Sequence, residues 1–285
     1  MAISDIRVVR EPMGFPNKSI VVIRGGGDIA TGVVQKFRRS GLKVLILETA
    51  KPTAIRRTVS LCEAVYDEHA TVEDISCERI ATLADMDGCH ARGMVPLIVD
   101  PDGECIRRLK PAAVIDAIIA KKNTGTKKDM ATVTIGLGPG FNAGEDVHAV
   151  IETNRGHDLG RLILQGRALA DTGVPGEIGG KSGERVVHAP AAGEVRNRRN
   201  IGEIVEKGET ICEIAGKTVT SPFRGVLRGL IREGLPVPVG MKIADVDPRL
   251  DVDCRTISDK ARCIGGAALE AFLFLSKKQK QGERL

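Results

Sequence analysis

The residues from 19 to 48 change their hydrophobic periodicity twice. Residues 19–24 form a short, β-branched apolar run, which predicts a strand, and three glycines follow it. From Ile29 onward apolar residues recur at helical spacing until Gly41, and a second apolar run covers 43–47. This order of strand, glycine turn, helix and strand predicts one βαβ unit of the dinucleotide-binding kind.

The glycine turn supplies the chemistry of this unit. Glycines allow backbone N–H groups to approach a pyrophosphate, and the positive end of the following helix dipole points at it. An acid about 20 residues further on can accept hydrogen bonds from a ribose 2′-OH. The predicted binding residues are Gly25, Gly26, Gly27, Asp28, Ile29, Ala30 and Glu48. The alternative is a turn that serves only tight packing of helix against sheet, and Arg24 is either a phosphate partner or a solvated charge at the strand end.

Further apolar runs predict more strands of the same sheet. They cover residues 94–100, 112–120, 130–138 and 146–153. We also expect a strand-like patch at 64–67 and a helix over 71–85. Because strand ends of a parallel sheet face the ligand crevice, Asp100 and Asp116 are candidate site residues, with a helix cap or a loop charge as the alternative for each.

Two more groups of polar residues can face that crevice. Arg56 and its neighbour Arg57 can reach an anion bidentately or form a solvated face, and 55–57 is expected to open a helix. A second glycine turn spans 136–144, and its Gly138 and Gly140 are predicted to lie across the crevice from the first turn.

The segment after the second turn is rich in polar groups. On a strand over 146–153, Asp146, His148 and Glu152 share a face and can bind a metal or perform acid–base chemistry. Asn154, Arg155 and His157 follow, and we interpret them as binding an anion or phosphate. Structural hydrogen bonding is the third interpretation, and no metal ligand is assigned.

Beyond a glycine-punctuated linker over 164–183, short β segments alternate with glycines. Residues 189–195 resemble 221–227, and 205–211 resemble 237–243. These quasi-repeats predict a small barrel-sandwich similar to the biotinyl and lipoyl carrier type. Lys217 lies where carriers hold their modified lysine, but the hairpin tip is short, so a scaffold role is favoured.

The last predicted element is a helix over 257–275 with Ser258 as N-cap, whose small residues allow close packing on another element. We therefore predict an α/β protein in three parts. They are a Rossmann-like nucleotide-binding domain with a parallel sheet (1–183), an inserted all-β barrel-sandwich module (184–250) and a C-terminal helix returning to the α/β domain (251–285).

Composition excludes several classes of function. The net charge of +5 is interspersed, and the absence of Trp with a single Tyr argues against a base-stacking, nucleic-acid-binding surface. Seven cysteines without a C-x-x-C pair favour a reducing, cytoplasmic location over disulfides or zinc. No apolar stretch reaches about 18 residues, so no membrane partner is expected. The start of the chain lacks the apolar region of a signal peptide, and a homo-oligomer is compatible with the sequence.

Several motifs together resemble one family. GGGDIATG, PTAIRRTVSLCEAVYDE, GLGPGFNAGEDVHAVIETNRGHDLGR and ISDKARCIGGAALEA are similar to the selenium-dependent molybdenum hydroxylase system proteins, over 17–274. The resemblance implies an accessory role in maturation of a molybdenum hydroxylase, with that apoenzyme or its maturation machinery as partner. It implies site positions at 25–32, 56–57 and 148–157.

Three functions follow from these observations. The first is a maturation protein that binds a nucleotide or a molybdopterin-type dinucleotide at the glycine turns. The second is an NAD-dependent oxidoreductase, with Glu48 favouring NAD, although no Tyr-x-x-x-Lys pair is present. The third is a non-catalytic scaffold that docks a partner through the β module.

Overall fold

A computed structural model describes residues 20–173 and 176–280 of the chain. The predictions for the start of the chain, including Ser19, for Val174 and Pro175, and for 281–285 lie outside the described residues.

The described chain contains five helices and seventeen strands. The helices are Asp28–Arg39 (α1), Ala64–Asp67 (α2), Met86–Ala91 (α3), Glu104–Leu109 (α4) and Asp259–Lys280 (α5). The strands of the first part are Ile20–Arg24 (β1), Lys43–Glu48 (β2), His69–Val72 (β3), Ile75–Arg79 (β4), Val95–Val99 (β5), Ala113–Asp116 (β6), Val133–Leu137 (β7), Ala149–Ile151 (β8) and Leu162–Ile163 (β9). Those of the second part are Val186–His188 (β10), Gly193–Asn197 (β11), Ile204–Val205 (β12), Thr210–Ile214 (β13), Lys217–Thr220 (β14), Gly225–Leu230 (β15), Pro236–Val237 (β16) and Lys242–Asp247 (β17).

The first nine strands form one sheet in the order β3-β4-β5-β2-β1-β6-β7-β8-β9. Its strands run parallel except at the two edges, where β3 and β9 are antiparallel to their neighbours. β1 lies between β2 and β6, with Val22 opposite Leu45 on one side and Val114 on the other. The carboxyl ends of β1 and β6 are therefore neighbours at one edge of the sheet.

Helices cover both faces of this sheet. Successive side chains of β1 point to opposite faces, and Val21, Val22 and Ile23 are all buried. Val21 and Ile23 point into the core that α1 and α5 share. Val22 points to the opposite face, where Met86 of α3 and Ile106 of α4 pack. The chain is thus a mixed α/β protein with helix, sheet and helix layers in this part.

Two glycines let α1 and α5 cross in close contact. A Cβ atom at Gly32 would lie 2.7 Å from the carbonyl carbon of Ala261, and one at Gly265 would lie 2.7 Å from the carbonyl carbon of Gly32. The rings of Phe37 and Phe272 pack beyond this crossing, tilted by 50° with centroids 5.6 Å apart. The small residues of the C-terminal helix are therefore needed for backbone contact with α1.

The second part of the chain, which we call the β module, consists of two four-stranded antiparallel sheets. Their orders are β10-β17-β15-β12 and β14-β13-β11-β16. The module contacts the loop after β2, where the N–H of Leu230 donates to the carbonyl of Ile55 at 2.7 Å. Arg57 Nε donates back to the carbonyl of Leu230 at 2.7 Å, which holds this loop against β15.

Two secondary-structure predictions are wrong. Residues 64–67 form a helical turn, and the region 71–85, predicted as a helix, contains the hairpin of β3 and β4. Glu73 adopts a φ of +52° at the hairpin turn, and the helix cap lies further on, at Thr82, which forms a capping box with Asp85. Residues 55–57 lead into a short 3₁₀ turn, Arg57–Val59.

Among the described residues no helix combines the length and the apolar character that crossing a bilayer requires. All seven cysteines are free thiols, and Cys263 is the exposed one.

Candidate functional site

The first glycine turn leaves the start of α1 open. Gly25 N–H donates to the carbonyl of Leu47 at 2.8 Å, and α1 begins after Gly27 without a side-chain cap. In the described chain no acceptor reaches the backbone N–H groups of Gly27, Asp28 and Ile29. A helix that begins in this way presents free donors and a positive dipole end to an anion.

The three glycines of this turn have different surroundings. A Cβ atom at Gly25 would lie 3.1 Å from the carbonyl oxygen of Ala117, and one at Gly26 would lie 3.0 Å from the amide nitrogen of Cys62. At Gly27 no heavy atom lies within 4 Å of that position. The space through which a ligand can approach the turn is therefore at Gly27.

Glu48, predicted to bind a ribose, is instead bonded to the turn itself. Its Oε2 accepts the N–H of Gly26 at 2.7 Å, and its Oε1 accepts the N–H of Thr49 at 2.7 Å. Burial raises the pKa of this carboxyl group above its ordinary value. Cys62 N–H also donates to the carbonyl of Gly26 at 2.8 Å, so the 3₁₀ turn Leu61–Glu63 covers this side.

Arg56 lies beside the open end of α1. Its Nη1 is 3.3 Å from Oδ2 of Asp28, and 11% of its side chain is exposed. Its Nε and Nη2 are buried, and no partner reaches them among the described residues. Buried guanidinium donors are normally paired, so this arrangement suits an acceptor-rich ligand.

Three further cations, none of them predicted as a site residue, lie near Arg56 or Asp28. Arg228 of β15 pairs with Asp247 at 3.1 Å, and its Nε is buried without a partner in the described chain. Burial, and then the positive charge of Arg56, lower the pKa of Arg228. Desolvation likewise lowers the pKa values of Lys242 in β17 and Lys260 in α5.

We call this group the cationic cleft: Arg56, Lys242 and Lys260 around Asp28, with Arg228 beside Arg56. Asp28 acts electrostatically on both lysines, and Asp245 acts more strongly than Asp28 on Lys242. Lys260 is the one member of the cleft that is unusual in the sequence. It lies in the first turn of a helix, where acidic residues are ordinarily favoured.

The second glycine turn is filled by packing. A Cβ atom at Gly136 would lie 2.5 Å from the ring of Phe141, and one at Gly140 would lie 2.6 Å from Cα of Lys122. A Cβ atom at Gly138 would likewise clash with the hydroxyl of Thr153. The N–H of Gly138 donates to the carbonyl of Ile151 at 2.8 Å. The structure gives Gly138 and Gly140 a packing role and does not join them to the first turn.

The residues after β8 are only partly near the cleft. Arg155 forms a bidentate pair with Asp259 at 2.7 and 3.0 Å, which brings it to the first turn of α5 beside Lys260. Asn154 and His157 are exposed, and the N–H of Asn154 donates to Glu152 Oε1 at 2.7 Å. Of this predicted anion group, Arg155 alone comes close to the cationic cleft.

The predicted polar face does not form. β8 spans only Ala149–Ile151, and Asp146 lies in the preceding turn, accepting the N–H of Asn142 at 2.8 Å. Glu152 accepts N–H groups from Asn154 and Leu169, each at 2.7 Å. Within the described ranges no group of three or more His, Cys, Asp or Glu side chains is placed to hold a metal ion.

His148 is held as a neutral ring. Its Nδ1 accepts the N–H of Thr134 at 3.0 Å, which requires the ring proton to be on Nε2. Burial, and then the charge of Lys128, lower the pKa of His148 to about 4. It serves the packing of β8 on β7.

The strand-end charges are also structural. Arg24 and Asp116 form a buried pair at 3.5 Å, bridged by the hydroxyl of Thr126, so Arg24 is neither a solvated charge nor a free phosphate partner. Asp100 accepts the N–H groups of Glu104 and Cys105 at 3.0 and 2.7 Å and caps the start of α4.

Two open cavities lie elsewhere. One of about 210 Å³ is on the β module beside Glu194, Arg196 and Ala215. The other, of about 440 Å³, lies beyond β9 beside Arg161 and Leu169. Neither borders the first glycine turn, and neither brings together the donors described above.

Comparison with known proteins gives one relative by sequence. The chain is 49% identical over 269 residues to the uncharacterized protein YqeB of Escherichia coli (strain K12), and the match covers 94% of this chain and 50% of YqeB. The chain therefore spans about half the length of the curated relative it matches. No family model matches the chain.

Solved structures resemble it only weakly. The product-bound ectoine utilization protein EutE (DoeB) from Ruegeria pomeroyi is 12% identical with a TM-score of 0.24, covering 74% of this chain and 59% of that one. An aspartoacylase family protein from Mesorhizobium loti is 11% identical with a TM-score of 0.25, covering 81% and 85%. Similarity at this level carries no argument about fold or function.

Proposed function

We propose that this chain is an accessory protein for maturation of a molybdenum-containing hydroxylase, and that it binds a nucleotide or a molybdopterin-type dinucleotide at the first glycine turn. The observation that carries the binding part is the uncapped start of α1 beside the unpaired donors of Arg56. The maturation part rests on the sequence resemblance, and the hydroxylase apoenzyme or its maturation machinery is the proposed partner. The proposed location is the cytoplasm.

The fold is consistent with this proposal at the level of strand order. Six of the seven parallel strands, β5-β2-β1-β6-β7-β8, follow the doubly wound order 3-2-1-4-5-6, and β4 adds to the sheet beyond β5. On this basis we propose that the fold is Rossmann-like. In that order the ligand crevice lies outside the carboxyl ends of the first and fourth strands, which here are β1 and β6. Two antiparallel sheets with an internal sequence repeat support a barrel-sandwich interpretation of the β module.

The residues at the turn fit a phosphate-bearing ligand. The N–H groups of Gly27, Asp28 and Ile29 would donate to phosphate oxygens, and Arg56 would supply charge-assisted hydrogen bonds. A dinucleotide offers a pyrophosphate for these donors. The proposal concerns binding and delivery of the ligand, and it assigns no reaction.

The NAD-dependent alternative is weaker for a physical reason. Both carboxylate oxygens of Glu48 already accept backbone N–H groups, and Cys62 donates to the carbonyl of Gly26 and covers this side of the turn. A purely structural scaffold would need neither the open Gly27 nor the unpaired donors of Arg56. Binding of any nucleotide therefore separates the proposal from the scaffold, and the identity of the bound nucleotide separates it from the oxidoreductase.

Calorimetric titration of the full chain tests this. The ligands are CTP, molybdopterin cytosine dinucleotide, NAD(H) and NADP(H), and the variant is Gly27→Val, which places a side chain in the open approach without a clash. We expect a nucleotide to bind and Gly27→Val to abolish binding without changing the melting temperature. Gly266→Ala, an open position on α5, is the matched control and should bind normally.

Two results would contradict the proposal. Binding of NAD(H) alone, with turnover of a substrate panel, would favour the oxidoreductase. If no nucleotide binds, and Gly27→Val leaves hydroxylase activation in cells unchanged, the site at the glycine turn is wrong.

A further inference from the structure

The cationic cleft is built by three separate parts of the chain. Arg56 comes from the loop after β2, Arg228 and Lys242 come from the β module, and Lys260 comes from α5. Arg228, Lys242 and Lys260 belong neither to the glycine turn nor to the sheet that carries it. The β module and the C-terminal helix thus place charges at a site that the α/β part begins.

The two arginines are brought together by backbone contacts. A Cβ atom at Gly229, next to Arg228, would lie 3.3 Å from Cγ of Arg56, and the Leu230 to Ile55 hydrogen bond fixes this approach. Only 9% of the Arg228 side chain and 11% of the Arg56 side chain are exposed. Two like charges this well buried repel one another, and three of their nitrogens have no acceptor among the described residues.

The lysines are placed by the helix crossing and by β17. The carbonyl group of Ala261 contacts Gly32, one turn after Asp28 on the same face of α1, so the preceding Lys260 lies near the start of α1. Lys242 lies two residues before Ala244, which pairs with Leu230 of β15, and Leu230 is hydrogen-bonded to Ile55 next to Arg56. The Lys242 side chain is exposed to solvent, yet protein surrounds it closely enough to desolvate its ammonium group. No carboxylate of the described residues forms an ion pair with either ammonium group.

The cleft holds more positive than negative charge. The other charges that act on its cations are mostly paired already: Arg185 with Asp245, Lys121 with Asp171, and Arg155 with Asp259. Asp247 is shared by Arg228 and Arg249, which leaves one of those two charges uncompensated. Asp28 is the carboxylate that faces all three of Arg56, Lys242 and Lys260, and Glu152 adds a weaker contribution at Lys260.

We propose that Arg228, Lys242 and Lys260 join Arg56 in gripping the phosphate chain of a nucleoside triphosphate, so that one ligand contacts the α/β part, the β module and α5 together. This inference rests on the proposed function and specifies its ligand class. A triphosphate carries three or more negative charges and matches the excess of cations. The internal pyrophosphate of a dinucleotide carries two and matches it less well.

The experiment measures affinity by calorimetry at fixed ionic strength, with CTP, ATP, inorganic tripolyphosphate and NAD as probes. The triphosphates and tripolyphosphate should bind more tightly than NAD. Lys242→Ala and Lys260→Ala should each weaken CTP binding about tenfold, the usual loss for one charge-assisted hydrogen bond. Lys242→Arg should retain most of the affinity because the charge stays in place.

Two controls keep the test specific. Lys207→Ala and Lys217→Ala remove exposed lysines of the β module and should leave affinity unchanged, which excludes a general effect of net charge. Melting temperatures of all variants report folding, and Lys242 is exposed enough for its replacement to leave the fold intact.

The outcomes separate the two proposals. If CTP binds and Gly27→Val abolishes binding, but both lysine variants bind as the wild type does, the triphosphate cleft is wrong and the glycine-turn proposal stands. Binding of NAD as tightly as CTP would also contradict the proposal that the ligand is a nucleoside triphosphate. If none of these probes binds, the triphosphate cleft is wrong, and titration with molybdopterin cytosine dinucleotide then decides the glycine-turn proposal separately.

Discussion

The two glycine turns of this chain are similar in sequence and opposite in use. The first, 25–27, ends β1 and leaves one glycine facing open space and three N–H groups without acceptors in the described chain. The second, around Gly138 and Gly140, ends β7 and is filled by Thr153 and the backbone of Lys122. The difference teaches that a glycine-rich turn indicates close approach of other atoms to the backbone. Those atoms can belong to neighbouring protein as readily as to a ligand.

The largest expected effect is at the second turn. Gly140→Ala should destabilise the fold by about 3 kcal/mol or more, because its φ is +110° and the new methyl group would meet the backbone of Lys122. Gly27→Ala should change stability by less than about 0.5 kcal/mol. Urea denaturation of both variants checks this, and equal losses would erase the distinction between the turns.

Glu48 tests whether the first turn is held open by its own carboxylate. Glu48→Ala leaves the N–H groups of Gly26 and Thr49 without their acceptor and should cost about 1–3 kcal/mol of unfolding free energy. It should also weaken nucleotide binding, since the turn loses its support. Glu104→Ala, which removes an exposed carboxylate on α4, is the control and should be close to neutral in both measurements. Unchanged stability in Glu48→Ala would mean that the turn needs no such support.

The second-turn region should also respond to pH. The pKa of His148 falls from 6.5 in the unfolded chain to about 4 in the folded one, so the unfolded state binds the extra proton first. This contribution to stability is present above pH 6.5 and is lost as the pH falls toward 4, by about 2 kcal/mol after allowance for partial exposure. His148→Gln should flatten that part of the stability profile, measured by denaturation at several pH values. A slope identical to that of the wild type would assign the acid sensitivity to other groups.

The smallest effect is expected at Arg155. Its pair with Asp259 is largely exposed, so Arg155→Ala should cost less than about 1 kcal/mol. Because Arg155 is already paired, nucleotide affinity should stay within about twofold of the wild type. A tenfold loss of affinity would show that the 154–157 segment does take part in binding and would weaken the contrast between the two turns.

The local parts of the fold could be predicted from the sequence. The first unit is observed as β1, α1 and β2 within a residue or two of the predicted bounds, because strand and helix periodicities change sharply there. The sequence of the β3 and β4 hairpin predicts a helix, because Thr71 and Glu73 imitate a helix start. The true cap, Thr82, follows eleven residues later.

The site was less predictable because it is made by distant parts of the chain. Arg228 and Lys242 are unremarkable in sequence. Only the docking of β17 and α5 gives Lys242 and Lys260 a common neighbour in Asp28, and only the docking of β15 brings Arg228 to Arg56. Arg24 shows the converse case. Its charge at a strand end suggested a ligand, but the pairing of β1 with β6 places Asp116 next to it.

The contact between α1 and α5 has a consequence for how the chain is made. Ile264, Ala268 and Phe272 of α5 belong to the same core as Val33 and Phe37 of α1. That core cannot close until the ribosome has passed Leu275, whereas the β module lies earlier in the chain and has buried clusters of its own. Since domains fold as units during synthesis, we expect the middle of this chain to reach its native structure before its beginning does.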